Sequence, residues 1–198
     1  MVDRKTAAEL MEELAADPEH RARIARLARQ REAQWTSWNE AAQPLLRDLR
    51  DIGWNVSSLQ DVCEVPAAAV PVLLAHAKRS EYADPIKDAI LRPLASPVAA
   101  PFWAELVLLL QDGEVLSPGV RYLAAVALTA VAGDEHVGEI VQLARDPGLG
   151  EHRAPLLLYL ASSTRPVAVM ALKELRADPT VGRHAKALTR LVRRQRKP

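Results

Sequence analysis

The sequence predicts an all-α protein, with a right-handed α-α superhelix of stacked helix pairs over 66–198 behind an N-terminal helical arm and cap over 1–65. Three observations predict it. Many of the fourteen prolines stand where a helix begins. Apolar residues recur at steps of three and four, without the valine-rich alternation a sheet needs. The helical pattern also repeats at offsets of 32 to 34 residues, the period of stacked helix–turn–helix units.

Proline is tolerated in a first helical turn because the amide it lacks would have no intrahelical acceptor there. Asp17-Pro18, Asp84-Pro85, Ser96-Pro97, Ser117-Pro118 and Asp178-Pro179 each set a capping side chain before such a proline. Thr6 to Glu9 and Ser58 to Asp61 have capping-box spacing. Gly53, Gly113 and Gly133 stand where apolar periodicity stops, as helix-ending glycines do. These signals predict helices near 7–16 and 18–42, a break at Pro44 with continuation to 51, and a short turn at 58–64. Further helices follow near 66–79, 85–95, 97–111, 118–132, 135–145, 151–162, 165–177 and 181–195.

The later helices repeat in pairs. Asp146-Pro147 and Asp178-Pro179 lie 32 positions apart, and Val137, Ile140 and Leu143 map at that offset onto Val169, Leu172 and Leu175. Lys87, Arg121 and Arg153 each precede a leucine by seven positions, at Leu94, Leu128 and Leu160. One helix pair cannot bury its apolar faces until a neighbour stacks on it. The Thr-Pro-Leu-His turn of ankyrin repeats and the Trp, Leu-Gly and Tyr pattern of tetratricopeptide repeats are missing. The stretches Gly119 to Leu128 and Thr164 to Leu175 resemble short HEAT-like (armadillo-type) repeats, and the resemblance covers about residues 66–195 as three pairs with flanking half-repeats. It implies a curved stack that binds partners. It does not imply a reaction.

The N-terminal third differs. Residues 1–20 carry six acidic residues (Asp3, Glu9, Glu12, Glu13, Asp17, Glu19), whereas 21–31 bring Arg21, Arg23, Arg26, Arg29 and Arg31 with no acid. Along the long helix, Ile24, Ala28, Arg31, Trp35, Trp38, Ala42, Leu45 and Leu49 alternate steps of four and three, a seam for packing on another helix. From Trp35 onward the seam is strong enough to cap the first helix of the stack. Whether 1–30 packs on the body or projects is left open.

Hydrophobic residues make up 49% and charged residues 26%, with a formal net charge of +1, which describes an ordinary folded protein. Cys63 is the only cysteine, so an intrachain disulfide and a cysteine-based zinc site are excluded. Flanked by Asp61 and Glu64, Cys63 reads as a small buried residue and not as a nucleophile. The start of the chain lacks an apolar signal core, and the most apolar stretch, Val98 to Leu110, is shorter than the roughly 20 residues of a membrane span. The expected location is the cytoplasm, with no membrane partner.

No catalytic residue, cofactor or metal site is expected. His20, His76, His136, His152 and His184 are scattered, without the i,i+4 pairing of a zinc helix, and no phosphate loop or nucleophile elbow is present. The expected function is a non-catalytic protein-binding adaptor or scaffold. Its partner face would use second-helix residues Trp103, Gln142, Arg145 and Lys173. The apolar run around Phe102 to Leu110 is expected to be sandwiched in the stack. The alternative is a nucleic-acid-binding HEAT-like protein, base repair being the precedent the resemblance offers. It would use the basic last helix, where Arg183, Lys186, Arg190, Arg193 and Arg194 could meet phosphates. A lyase acting on a cofactor or pigment, a third role the resemblance allows, has no residues to carry it. The sequence leaves the oligomeric state open.

Overall fold

Helix starts and stops follow the proline and cap signals closely. The computed structural model describes residues 6–112 and 117–195, the side chains of 193–195 excepted, and all regular structure among them is helical. The chain divides into two units, Met1–Ala41 and Ala42–Pro198.

The first unit holds α1 (Ala7–Ala16) and α2 (Pro18–Ala41), joined by the single residue Asp17, with every residue of α1 exposed. The expected capping box opens α1: Thr6 Oγ1 accepts from the Glu9 amide at 3.3 Å, and the Glu9 carboxylate accepts from the Thr6 amide at 2.7 Å. Asp17 Oδ1 accepts from the Glu19 amide at 2.9 Å and so caps α2. Trp35 and Trp38 meet edge to face, ring centres 5.1 Å apart.

The second unit begins with α3 (Gln43–Asp51), whose Leu45, Leu46 and Leu49 are buried and which packs on α4 (Val70–Ala77). The helix at 43–51, grouped with the N-terminal segment by sequence, thus shares the core of the residues after it. Gly53 ends α3 at a φ of 86°, where a side chain would be strained. Between α3 and α4, Asp61 Oδ2 accepts from the amides of Ser57 and Ser58, at 3.0 and 2.9 Å, closing the expected short turn at Leu59–Asp61. Cys63, expected to be buried, is exposed. Its neighbour Val62 points inward instead, since backbone leaving the turn sends successive side chains to opposite sides.

The chain then runs through α5 (Asp84–Leu91), α6 (Trp103–Gln111), α7 (Pro118–Val131), α8 (Val137–Arg145), α9 (Leu156–Ser162), α10 (Pro166–Glu174) and α11 (Gly182–Gln195). Tighter 3₁₀ turns at Ala67–Ala69, Arg92–Leu94, Pro97–Phe102, Asp134–His136 and Leu175–Ala177, and two turns broken at Gly150 within Pro147–Arg153, extend these helices, so the predicted spans are met by mixed segments. Helix α5 starts one residue early: Ala83 is the cap and Asp84 lies in the first turn, facing the positive end of the helix dipole. Ser96 and Ser117 make no capping hydrogen bond. Gly133 is not left-handed, with φ −93°, and Gly113 lies outside the described residues.

In this unit α5, α7, α9 and α11 form one row, each helix packed on the next. Helix α6 lies on α7, α8 on α9 and α10, and α10 on both α9 and α11. Between them sit Ile86, Ile90, Leu106, Leu110, Leu128, Ile140, Leu156, Leu157 and Leu160, each at most 1% exposed. Full burial of such a side chain is worth about 1.5–3 kcal/mol relative to exposure. Ala124, Ala125, Ala127, Ala168 and Ala171 are fully buried where helices approach, because only a small side chain leaves room there. The run at 103–110 is sandwiched as expected, with Trp103, Leu106, Val107, Leu109 and Leu110 buried and Leu108 exposed.

Two of the three repeated basic residues, Arg121 and Arg153, have a common task. Arg121 Nε donates to the Leu110 carbonyl at 3.3 Å, and Arg153 Nη1 to the Ala144 carbonyl at 3.2 Å. Each reaches the last turn of the preceding helix, where carbonyls lack intrahelical donors and the dipole favours a cation.

Candidate binding surfaces

Three surfaces of the second unit carry the residues that matter. The first is the second-helix side of α6, α8 and α10. Trp103 is turned inward: its indole stacks on the His136 ring, centres 3.9 Å apart, and Nε1 donates to Glu139 Oε2 at 2.5 Å. His136 is held in turn by the Gly133 amide, which donates to Nδ1 at 3.0 Å. The Gly133 carbonyl accepts from the Tyr159 hydroxyl at 2.7 Å. Burial, with the Asp134 and Glu135 carboxylates nearby, pushes the Tyr159 phenol up. Trp103 therefore joins α6 to α8 and offers a partner almost no surface. Gln142, Arg145 and Lys173 are exposed, but the Arg145 guanidinium is engaged by Glu174. The structure thus separates Trp103 from the other three residues grouped with it by sequence.

The second surface is α11. Arg183, Lys186 and Arg190 are exposed at helical steps of three and four, so they form one stripe. The side chains of Arg193 and Arg194 lie outside the described residues.

The third surface was missed by sequence. Along the first-helix row, Pro118, Gly119 and Tyr122 of α7, Ala154 and Leu158 beside and on α9, and His184, Ala187 and Leu188 of α11 line an open groove of about 550 Å³. A neighbouring hollow of about 470 Å³ shares Gly119 and Tyr122 and runs on to Asp84 and Asp88 of α5. Tyr122, Leu158 and Leu191 are 45%, 54% and 52% exposed along this row. His152 and Glu151 supply polar groups. Burial and the nearby Arg121 guanidinium push the His152 pKa down, so its neutral form is favoured. The hollow that continues it carries the carboxylates of Asp84 and Asp88 at the α5 end. Tyr122 lies on the side of α7 away from the buried Ala124, and Leu158 is exposed beside the buried Leu157; helical periodicity alone marks neither as a surface residue.

One polar cluster lies apart. His76 is 3% exposed, with Nδ1 2.8 Å from the Tyr82 hydroxyl and Nε2 2.8 Å from Asp48 Oδ2. Asp48 as acceptor sets the proton on Nε2, so Nδ1 accepts from Tyr82. Burial raises the Tyr82 pKa, and the nearby Arg79 guanidinium opposes that rise. The hydroxyl is enclosed and aimed at His76, so this chain of groups ties α3 to α4. Among the described residues no group of three or more His, Cys, Asp or Glu side chains is placed to hold a metal ion. No single helix among them is long and apolar enough to cross a membrane.

Comparison of the chain with protein families, with curated proteins and with solved structures finds no match.

Proposed function

We propose that the chain is a non-catalytic protein-binding adaptor or scaffold of the cytoplasm, its second unit a right-handed α-α superhelix of HEAT-like repeats. The continuous row from α5 to α11, and the recurrence of the Arg121 and Arg153 braces 32 positions apart, support the repeat reading. The observation that carries the binding reading is the groove between α7, α9 and α11. It is open, long enough to span three helices, and apolar at Tyr122, Leu158 and Leu188. A groove of that kind suits the apolar face of a helix or an extended segment from another protein. Charge orients the ligand: its basic groups belong over Asp84 and Asp88.

Affinity capture with the purified full chain tests this. A stoichiometric protein partner should be recovered by the native chain and by Gln142→Ala, and lost with Leu158→Asp. Recovery of none, or equal recovery by all three, overturns the reading.

The alignment of Arg183, Lys186 and Arg190 supports a second reading, binding of a nucleic-acid backbone. It predicts salt-sensitive retention of duplex or single strands that weakens when Arg183 and Arg190 become Glu. No retention at low salt would end it.

A further inference from the structure

Helix α10 lies on both α9 and α11, and where the three meet their side chains do not close the space between them. A hollow of about 350 Å³ remains, more enclosed than the groove and lined by none of the groove's residues. Its size falls within the range of small-molecule clefts, about 300–1,000 Å³. Leu160 of α9, Val169 and Leu172 of α10 and Val192 of α11 give it apolar walls from all three helices. Leu160 and Leu172 belong to the core, while Val169 and Val192 are half-buried. Water held against such walls finds few hydrogen-bonding partners, so its displacement by an apolar chain is favourable.

The polar groups of the hollow are Ser163, Lys173 and Thr189. The Thr189 hydroxyl donates to the Ala185 carbonyl at 2.7 Å and is engaged within its own helix. Ser163 Oγ accepts from the Arg165 amide at 3.3 Å, which leaves its own proton to donate. Lys173 is exposed and has no carboxylate partner among the described residues, its neighbour Glu174 being taken by Arg145. None of the described residues lining the hollow is acidic. We propose that the hollow binds a medium-chain aliphatic monocarboxylate, its chain against the apolar walls and its carboxylate toward Lys173 and Ser163. One ammonium and one hydroxyl proton match the single charge and the two oxygens of a carboxylate. A phosphate would bring a second charge with no cation to meet it, and an amine would meet Lys173 with like charge.

Titration of the full chain with octanoate, followed by calorimetry and by backbone amide shifts, tests it. One saturable site is expected, with shifts centred on Ser163, Val169 and Lys173. The uncharged 1-octanol should bind more weakly, and acetate, which has no chain to bury, not at all. Lys173→Met keeps an apolar stem and removes the charge, so it should bind octanoate about tenfold less tightly. Its affinity for 1-octanol should be unchanged, which also shows that the hollow is intact in the variant. Leu158→Asp should bind octanoate as the native chain does, so failure here and failure of the groove are read separately. Absence of saturable octanoate binding overturns the inference, as does equal binding by the native chain and Lys173→Met. Shifts centred on Tyr122 and Leu158 would put the ligand in the groove and overturn it too.

Discussion

Arg153 and Asp178 face each other fork to fork: Nη1 lies 2.9 Å from Oδ2 and Nη2 3.1 Å from Oδ1, with the arginine side chain 1% exposed. Arg153 Nε donates to the Gly150 carbonyl at 2.9 Å, and Asp178 Oδ1 also accepts from the amides of Thr180 and Val181. One ion pair thus joins the segment before α9, the last turn of α8 and the turn that starts α11.

Removing one partner leaves the other's charge buried and unmatched. Asp178→Ala is expected to lower unfolding free energy by about 3–5 kcal/mol, read from urea denaturation. Arg153→Met should cost less, because its stem keeps packing and the Asp178 carboxylate it leaves is 16% exposed and still accepts from the Thr180 and Val181 amides. The double variant should cost less than the sum of the two.

The same carboxylate sets an acid limit. Burial alone would raise the Asp178 pKa, but the Val181 amide, the Arg153 guanidinium and the Thr180 amide together hold it below the ordinary 3.8. A folded-state pKa below the unfolded one contributes stability above the unfolded value, and loses it as pH falls through the folded one. Denaturation midpoints of the native chain should therefore fall faster below about pH 3.8 than those of Asp178→Asn.

Tyr82→Phe removes the closer of two donors to His76 Nδ1, Arg79 Nη1 being the other at 3.5 Å. The expected loss is about 1 kcal/mol, that of one hydrogen bond whose acceptor keeps a weaker donor. Nitrogen chemical shifts of His76 in the native chain should show the proton on Nε2.

Leu158→Asp, the variant that should abolish partner capture, changes a side chain 54% exposed. Its unfolding free energy should stay within about 0.5 kcal/mol of the native value, as for surface substitutions away from buried features. A larger loss would mean that Leu158 belongs to the core and not to a groove wall.

The helices were legible because their starts are written in single residues: Thr6, Asp17, Ser58 and the prolines act on the next turn only. What lay beyond local chemistry was harder to read. Arg153 and Asp178 are 25 positions apart, and so are Arg121 and Asp146, and Lys87 and Asp112, a spacing overlooked beside the 32-residue period. Trp103 counts among the partner-face residues by sequence although its apolar run is expected to be sandwiched, and only the rings and carboxylate of α8 and its preceding turn decide its direction. Tyr122 and Leu158 are apolar on the open side of their helices, which periodicity cannot tell from core.

A stack held by contacts between neighbours ordinarily frays from its ends. Here the final helix is anchored at its first turn by a charge that has nowhere to go if that helix departs. Peeling α11 would strip Asp178 from an arginine enclosed by α8 and α9, so the first turn of α11 should exchange its amides with solvent as slowly as the helices around it. That turn is a keystone, released only when its neighbours give way.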